Sequence, residues 1–514
     1  MEVAEHSAAT LSSMLAEGEI SAVEIAAVLI DRIDAVDVRG PAVRSVLELA
    51  PDALDVAAER DAERRAGRVR GPLHGVPVLV KDNIDTAAPL HTTAGSLVFG
   101  DCAPATDAPL VTALRAAGAV VLGKTNLSEW ANFRGRPSSS GWSAAGGQTR
   151  NPHVLDRSPG GSSAGSGAAV AARLAPLAVG TETDGSIICP AAACGVAGLK
   201  PTVGLVSRTG IVPISWSQDT AGPMARSARD IALLLEVLCR AVDDGKDQAA
   251  RRARRPESYR TDFSALLGDG GLVDIGVGVV RDTRAPGHPA TAAMFESALE
   301  ALAATGARIV DPVGALPGDD ELSDRELTVL TSEFGIGARA YFESRAAGSP
   351  QGARLARTLD DVVAHIRAEP AERVDLFATD LLELSARSGD LDAGAYPRAL
   401  EENRRVARDA LDEAFSTHAV DVLVAPAMPP AWPIDHVLGD HLVTAAWSVA
   451  AVAGYPSATL PMGMVHGLPV GVALLGPAWS EARLLRVLHA LEHALGAART
   501  MPMPAFETSI GVSA

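Results

Sequence analysis

Apolar positions follow two different spacings in the first part of the chain. Ser21 and Glu24 have the spacing of a capping box and precede apolar residues at 25, 28, 29 and 33, which favours a helix within residues 8–36. Residues 75–80 form a short apolar run that stops at Lys81, as in a buried strand. A helical stretch at 107–117 then leads into a strand at 120–122, so the strands of this strand–helix–strand unit are predicted to be parallel.

The same alternation continues to the end of the chain. Helices are predicted at 168–174, 290–304, 321–416 and 480–495, and strands at 177–179, 275–280, 308–310, 421–425 and 469–475. Strands that alternate with helices are typical of a sheet with mainly parallel strands. The sequence therefore predicts an α/β fold with a largely parallel sheet and a long, polar-faced helical stretch inside it.

Composition and charge narrow the class of protein. The 514 residues are 47% apolar, enough for a large core, and the net charge of −18 argues against a nucleic-acid partner. No apolar run approaches the length of a membrane span, and the first residues do not resemble a secretion signal. The four cysteines match no metal-binding spacing. We therefore expect a cytoplasmic enzyme with no metal, cofactor, nucleic-acid or membrane partner.

Two glycine-rich turns mark the most distinctive stretch, residues 157–200. One is Gly160–Ser163 and the other is Asp184–Ser186, with a small-residue helix between them. Glycine lets a substrate approach main-chain N–H groups closely, and a serine on such a turn can be a nucleophile if a base lies within reach. Because no histidine occurs between His153 and His288, the base must come from elsewhere and need not be histidine.

Lysine usage points to one candidate base. The chain has four lysines, Lys81, Lys124, Lys200 and Lys246, with arginine at the other cationic positions. A buried lysine can lose its proton near neutral pH, whereas arginine cannot. At the end of an apolar strand, Lys81 would need a pKa about 3 below its usual value of about 10.4, which burial can supply. The alternative is a structural cation paired with an aspartate at 82 or 85.

These motifs, in this order, resemble the amidase signature family of serine hydrolases with a Ser–Ser–Lys triad. The matching segments are Val80–Asn83, Gly160–Ser163 and Gly180–Ser186. The resemblance implies that Lys81 is the base, Ser162 the bridging serine after a cis peptide bond, and Ser186 the nucleophile. It also implies an oxyanion hole of main-chain N–H groups from Thr183, Asp184, Gly185 and Ser186.

The resemblance also sets an expected architecture. Segments beyond the triad, such as Gly198–Thr202 and Gly467–Gly471, extend it over roughly 72–230 and 420–495. It implies one amidase signature domain over 1–514, with a large mixed, mostly parallel twisted sheet covered by helices. Within it we expect an N-terminal helical segment (1–70), a signature core (72–230), a variable, mostly helical insertion (240–420) and a C-terminal part of the core (421–495).

Departures from the family pattern and a few further segments indicate which substrate to expect. Asp184 and Ile188 stand where the family usually has glycine and arginine, and for Asp184 a turn residue bonded to its own backbone is the plainer interpretation. Residues 126–132, 141–143 and 146–149 resemble peptide amidases within the family. The resemblance implies a monomeric or homodimeric enzyme that removes ammonia from C-terminal peptide amides through an acyl-enzyme. Candidate substrate contacts are Ser138, Trp142 and Gln218.

Other functions remain open. The same triad could act on aryl or small aliphatic amides, or hydrolyse glutamine as a subunit of an amidotransferase assembly. A different enzyme class would use Ser163 as the nucleophile, since residues 161–165 fit the G-x-S-x-G motif. That motif requires a core strand before the serine, and the polar, proline-containing residues 155–159 disfavour one.

Overall fold

Short apolar runs form the strands of one large sheet in the computed structural model. The model describes residues 2–241, 247, 255–281, 288–348, 355–388, 391, 394–442, 445–496 and 501–510. Lys246 lies outside these residues. The strands are β1 (Val46–Leu49), β2 (Pro77–Lys81), β3 (Val120–Thr125), β4 (Trp142–Ser143), β5 (Gly147–Gln148), β6 (Leu177–Glu182), β7 (Ala197–Lys200), β8 (Thr220–Ala225), β9 (Gly276–Val279), β10 (Arg308–Val310), β11 (Val422–Pro426), β12 (Ser457–Val465) and β13 (Leu468–Leu475).

Helices cover this sheet and also form a separate group late in the chain. They are α1 (Glu2–Glu5), α2 (Ala8–Glu17), α3 (Ala22–Arg32), α4 (Ala53–Arg65), α5 (Pro109–Ala116), α6 (Ala164–Ala171), α7 (Ile188–Cys194), α8 (Ala228–Leu238), α9 (Pro289–Ala304), α10 (Asp319–Gly348), α11 (Leu359–Ala368), α12 (Asp380–Ala386), α13 (Ala395–His418), α14 (Ser448–Ala453) and α15 (Glu481–Leu495). None of the described helices is long and apolar enough to cross a membrane.

The eleven-stranded sheet has the order β1-β3-β2-β6-β8-β7-β12-β13-β11-β9-β10, with β4 and β5 paired apart from it. Strands β3, β2 and β6 run parallel, as do β11, β9 and β10. Antiparallel pairs through β8, β7, β12 and β13 join these two groups. The mixed sheet covered by helices is confirmed, and its parallel pairs lie in two groups rather than throughout. The division of residues 1–514 into segments of one domain stays a prediction.

Local sequence signals mark several elements well. The capping box at Ser21 and Glu24 is present at the start of α3, and Ile25 and Leu29 on that helix are buried. The predicted helix of residues 8–36 is interrupted, however, because Gly18 takes a left-handed conformation that ends α2. Strand β8 was not predicted, since its sequence TAGPMA holds both glycine and proline and lacks a continuous apolar run.

A buried charge network joins the late helical group to the rest of the fold. Glu372 is fully buried and accepts hydrogen bonds from Ser96 Oγ (2.8 Å) and Leu97 N (2.7 Å). It also faces Arg134 Nη1 at 3.2 Å, and the same nitrogen donates to Glu129 at 2.8 Å. The carboxylate of Glu372 therefore holds a loop of the insertion against the core.

We expect Glu372→Ala to destabilise the protein by about 3 kcal/mol, because removing one partner leaves Arg134 and two backbone or hydroxyl donors less well satisfied in a buried site. Scanning calorimetry should show a clearly lower unfolding temperature. Asp375→Ala is the matched control, since Asp375 pairs with Arg373 on the surface, where an ion pair contributes little. Equal effects of the two substitutions would contradict the structural role given to Glu372.

Candidate active site

Lys81 ends strand β2 in the middle of the parallel group, between β3 and β6. Its side chain is fully buried, and Nζ lies 2.8 Å from Ser162 Oγ, 2.9 Å from Thr181 Oγ1 and 3.2 Å from Thr181 O. Asn83 Nδ2 donates to the same Thr181 hydroxyl at 3.0 Å. The end of one parallel strand thus places an amine against the next strand and against the first serine turn.

Burial lowers the pKa of Lys81 to about 7, although the nearby carboxylates of Glu182 and Asp219 act in the opposite direction. A neutral amine has two hydrogens and one lone pair. Nζ can therefore donate to the two oxygens of Thr181 and accept the hydrogen of the Ser162 hydroxyl. The same three oxygens could accept the three N–H groups of an ammonium ion, so it is the lowered pKa that makes the neutral base accessible.

The other two described lysines are held differently. Lys124 faces Asp82 at 3.5 Å and donates to Ile84 O and His91 O, while Lys200 donates to Pro201 O at 3.3 Å. Burial lowers the pKa of both, so a depressed pKa alone does not single out Lys81. What distinguishes Lys81 is its contact with a serine hydroxyl. Pairing of Lys81 with Asp82 is not observed, because that carboxylate faces Lys124.

The first serine turn packs tightly against neighbouring loops. The Gly161–Ser162 peptide bond is cis, as the family resemblance implied. A side-chain carbon on Gly161 would collide with the hydroxyls of Ser128 and Ser140, so glycine is required at this close approach. Ser162 O accepts a hydrogen bond from Ser128 N at 3.0 Å. These contacts fix the hydroxyl of Ser162 beside Lys81.

Ser163 serves a structural role in this arrangement. Its hydroxyl donates to Thr181 O at 3.0 Å and accepts from Thr181 N at 3.2 Å, and its side chain is fully buried. Its backbone N–H donates to Ser186 O at 3.1 Å, which ties the two serine turns together. The residues before it form no core strand in the structure, so the nucleophile-elbow alternative lacks the strand that it requires.

The second serine turn follows strand β6 and precedes helix α7. Thr183 Oγ1 donates to Asp219 at 2.6 Å, and the Glu182 carboxylate accepts from the N–H groups of Ile187 (2.7 Å) and Ile188 (3.1 Å). Asp184 accepts a hydrogen bond from Ser448 Oγ at 3.0 Å, so its carboxylate links the turn to α14. The turn is therefore bonded to Asp219, to the start of α7 and to Ser448 at the start of α14.

Ser186 lies at the floor of a cavity of about 390 Å³. Within the part of the chain that the structure describes, its hydroxyl has no hydrogen-bond partner, so the link from Ser186 to Ser162 is not formed here. The cavity is lined by residues of both serine turns, of the 131–140 loop, of α10 and of the segment before α14, among them Asn132, Ser138, Ser140, Gly161, Thr183, Asp184, Ser186, Cys189, Leu322, Glu326, Leu330, Trp432, Asp440 and Trp447.

The three candidate substrate contacts have different positions. Ser138 lines this cavity. Trp142 lies in an adjacent small pocket, where it stacks on Phe377 with ring centres 4.1 Å apart. Gln218 is buried and donates to Glu326 Oε1 at 2.7 Å. Substrate contact by Ser138, Trp142 and Gln218 therefore stays a prediction. Glu326, which accepts the hydrogen bond from Gln218, lies in the cavity wall.

Comparisons with known proteins place the chain in a family. A sequence model of the amidase family matches residues 24–485. The chain belongs to the amidase family. A glutamyl-tRNA(Gln) amidotransferase subunit of Symbiobacterium thermophilum is 37% identical to this amidase, over 95% of this chain and 96% of that protein.

Solved structures of peptide amidases are also similar to this amidase. The native peptide amidase from Stenotrophomonas maltophilia superposes with a TM-score of 0.90 at 46% identity, covering 98% of this chain and 99% of that one. The peptide amidase PAM bound to its competitive inhibitor chymostatin has a TM-score of 0.90 at 47% identity, covering 96% and 98%.

Several residues around the candidate site were not predicted from the sequence of this amidase. Asp440 accepts from Ser140 N (2.9 Å), Ser140 Oγ (2.6 Å) and Trp432 Nε1 (2.9 Å), so it links the 131–140 loop to the segment after β11 in the cavity wall. Thr181 contacts Lys81, and Asp219 accepts a hydrogen bond from Thr183. No motif recognised in the sequence marks Asp440 or Asp219, and the partners that place them at the site, Ser140 and Thr183, are distant in the chain. Among the described residues, no group of three or more His, Cys, Asp or Glu could hold a metal ion.

The turn before Ser186 offers a steric test. Gly185 has φ +76°, and a side-chain carbon there would overlap the indole of Trp447. We expect Gly185→Ala to displace the turn and to lower both amidase activity and the unfolding temperature. Gly18→Ala is the matched control, since Gly18 has φ +74° with no atom within 4 Å and would bear only the backbone cost of about 1 kcal/mol. Comparable losses in both variants would show that the contact with Trp447 does not matter.

Proposed function

We propose that this amidase hydrolyses the C-terminal carboxamide of peptide amides and releases ammonia, with Lys81, Ser162 and Ser186 as its catalytic residues. The observation that carries the proposal is the 2.8 Å contact between the Lys81 amine and Ser162, beside a cavity that Ser186 lines. The similarity to peptide amidases over nearly the whole chain supports the choice of substrate. A cytoplasmic location and a monomeric or homodimeric state, without nucleic-acid or membrane partners, belong to the same proposal.

The proposed reaction begins with proton transfer away from Ser186. Neutral Lys81 takes the hydroxyl proton of Ser162, Ser162 takes that of Ser186, and the Ser186 oxygen forms a bond to the amide carbon. This step requires the Ser186 hydroxyl to approach Ser162 when substrate binds. Catalytic hydrogen bonds that are long in a free enzyme often shorten in this way.

The remaining steps return the protons and restore the enzyme. The C–N bond breaks, and the proton held by Lys81 passes back through Ser162 to the leaving nitrogen, which departs as ammonia. A water molecule then gives one proton to the same relay while its oxygen attacks the acyl-enzyme. The carboxylic acid leaves and Ser186 regains its hydroxyl. The main-chain N–H groups of residues 183–186 would bind the oxyanion, each contributing about 3 kcal/mol.

A matched substrate panel tests the proposal. Purified enzyme is incubated with peptide amides, aryl amides, short aliphatic amides and glutamine, and the products are followed by mass spectrometry and ammonia release. We expect peptide amides to change by the replacement of NH2 with OH, with internal peptide bonds intact. Turnover of only aryl or aliphatic amides would overturn the peptide substrate, and glutamine turnover only with an added partner would favour an amidotransferase subunit.

Paired serine variants test the nucleophile in the same assay. Ser186→Ala should lose activity by a factor on the order of 10⁴ or more, because the acyl-enzyme can no longer form. Ser163→Ala should retain the chemistry, since its hydroxyl contacts only the Thr181 backbone. The reverse result would show that Ser163, rather than Ser186, is the nucleophile.

The pKa of Lys81 sets the expected pH dependence. Because the base must be neutral and its pKa is lowered to about 7, kcat/KM should fall about tenfold per pH unit as the pH drops below about 7. Lys81→Met should abolish turnover across the whole range, with circular dichroism as a check on folding. A flat profile between pH 5 and 8 in the unmodified enzyme would contradict lysine as the base.

A further inference from the structure

The pairing of two strands brings one further carboxylate against the second serine turn. Strand β8 runs antiparallel to β6, with Thr220 opposite Glu182. The residue before Thr220 therefore lies beside the residue after Glu182, which puts Asp219 next to Thr183. The contact is present, since Thr183 Oγ1 donates a hydrogen bond to Asp219 at 2.6 Å. Asp219 is thus bound to the turn that carries Ser186, although it takes no part in the proposed reaction steps.

The second oxygen of Asp219 fixes the carboxylate in its own loop. Oδ2 accepts hydrogen bonds from Ile214 N at 2.9 Å and Ser215 N at 2.8 Å, while Oδ1 accepts the one from Thr183. Ser215 Oγ in turn donates to Glu333 on helix α10 at 2.5 Å. Since both oxygens of Asp219 are bonded, the orientation of the carboxylate is set, and it connects the serine turn to the helical insertion.

Two carboxylates act on the amine of Lys81. Burial lowers the pKa of Lys81 to about 7, and the charges of Glu182 on β6 and of Asp219 before β8 act in the opposite direction. The charge of Glu182 is shared, because it also acts on Lys200. On β3, the amine of Lys124 faces the carboxylate at position 82. Asp219 is therefore one of two carboxylates that can balance a positive charge on Lys81.

The charge of Asp219 depends on its own surroundings. Desolvation raises the pKa of Asp219 to about 6, and the hydrogen bond from Thr183 and the charge of Arg208 oppose this rise. Arg208 itself binds Asp247 through Nε at 3.0 Å and Nη2 at 2.6 Å, and its Nη1 lies 3.5 Å from the backbone oxygen of Asp219. Above pH 6 the ionised carboxylate of Asp219 is the main form, so its charge is present where Lys81 becomes neutral.

We propose that Asp219 is a positioning residue with two roles in the reaction. Through Thr183 it holds the turn that carries Ser186. Its negative charge stabilises Lys81 while that amine holds the proton taken from Ser162, because this step creates a positive charge in a buried site. No bond to Asp219 forms or breaks. This inference rests on the proposed function for its catalytic residues, but it does not depend on which amide is hydrolysed.

Asp219→Asn tests the charge. The amide oxygen can accept the N–H groups of Ile214 and Ser215, and the amide nitrogen can donate to the Thr183 hydroxyl, so the hydrogen bonds can be kept. Without the negative charge the protonated form of Lys81 is less stable and its pKa falls. We expect the acidic limb of kcat/KM to move to lower pH by about half a pH unit or more, and kcat on the plateau to fall about threefold or more. A purely structural role would lower activity without moving the limb.

The small number of lysines allows the same shift to be measured without turnover. With the four lysines labelled with ¹³C at Cε, NMR follows each amine as the pH changes, and Lys81→Met identifies the signal of Lys81. The titration midpoint of Lys81 should fall in Asp219→Asn by the same amount as the acidic limb. Asp409→Asn is the matched control, since Asp409 pairs with Arg405 on the surface of α13 at 3.2 Å. Neither the midpoint nor the pH profile should change in that variant.

Thr183→Val tests the positioning role separately. Valine keeps the shape of threonine and removes the hydroxyl that donates to Asp219, while the carboxylate remains. We expect kcat to fall about tenfold with little change in KM, because the N–H groups of the displaced turn bind the oxyanion only during the reaction. The unfolding temperature of each variant shows whether the fold is retained. An unchanged kcat in Thr183→Val overturns the positioning role.

The outcomes separate this inference from the proposed function. An acidic limb and a Lys81 midpoint that stay in place in Asp219→Asn overturn the charge role and leave the proposed function standing. An Asp219→Asn variant that does not fold makes the charge a requirement of the fold, which also overturns that role. If only aryl or aliphatic amides are hydrolysed, the proposed substrate fails, and the same variants are measured on those amides. Full activity of Lys81→Met overturns the proposed catalytic residues and this inference with them.

Discussion

The burial of one amine at the end of β2 constrains the architecture around the candidate site. Lys81 reaches no solvent, and its nitrogen has three oxygen neighbours at hydrogen-bond distance, from Ser162 and from the two groups of Thr181. A charged amine in such a place is disfavoured, which is why its pKa falls to about 7. Strands β2 and β6 are parallel neighbours, and this pairing brings Lys81 and Thr181 together, so the order of strands in the sheet sets the position of the candidate base.

The two serine turns are hydrogen-bonded to each other, and the first of them contacts the Lys81 amine. The N–H of Ser163 binds the carbonyl of Ser186, and the hydroxyl of Ser163 closes on Thr181. Glycines at 161 and 185 permit contacts with Ser128, Ser140 and Trp447 that any side chain would prevent. The residues in the reactive positions therefore depend on neighbours that have no chemical role of their own.

The sequence predicted those parts of the molecule that depend on nearby residues. The capping box at Ser21, the strand ending at Lys81 and the ordered motifs around the two serines are local signals, and the structure contains each of them. Strand β8 was missed because its glycine and proline hide it, although it pairs with β6 along its whole length. Asp440 and Glu326 could not be found, since Ser140 and Gln218, which hold them in the cavity wall, lie 300 and 108 positions away.

Cys189 places a thiol in the lining of the cavity that also contains Ser186. Burial raises the pKa of its thiol to about 12, so the protonated thiol is the prevailing form at neutral pH. Thiols react as thiolates, whereas Ser186, the proposed nucleophile, would be activated through Ser162 by Lys81. An electrophile that enters this cavity therefore meets a thiol in its protonated, less reactive form beside the proposed nucleophile.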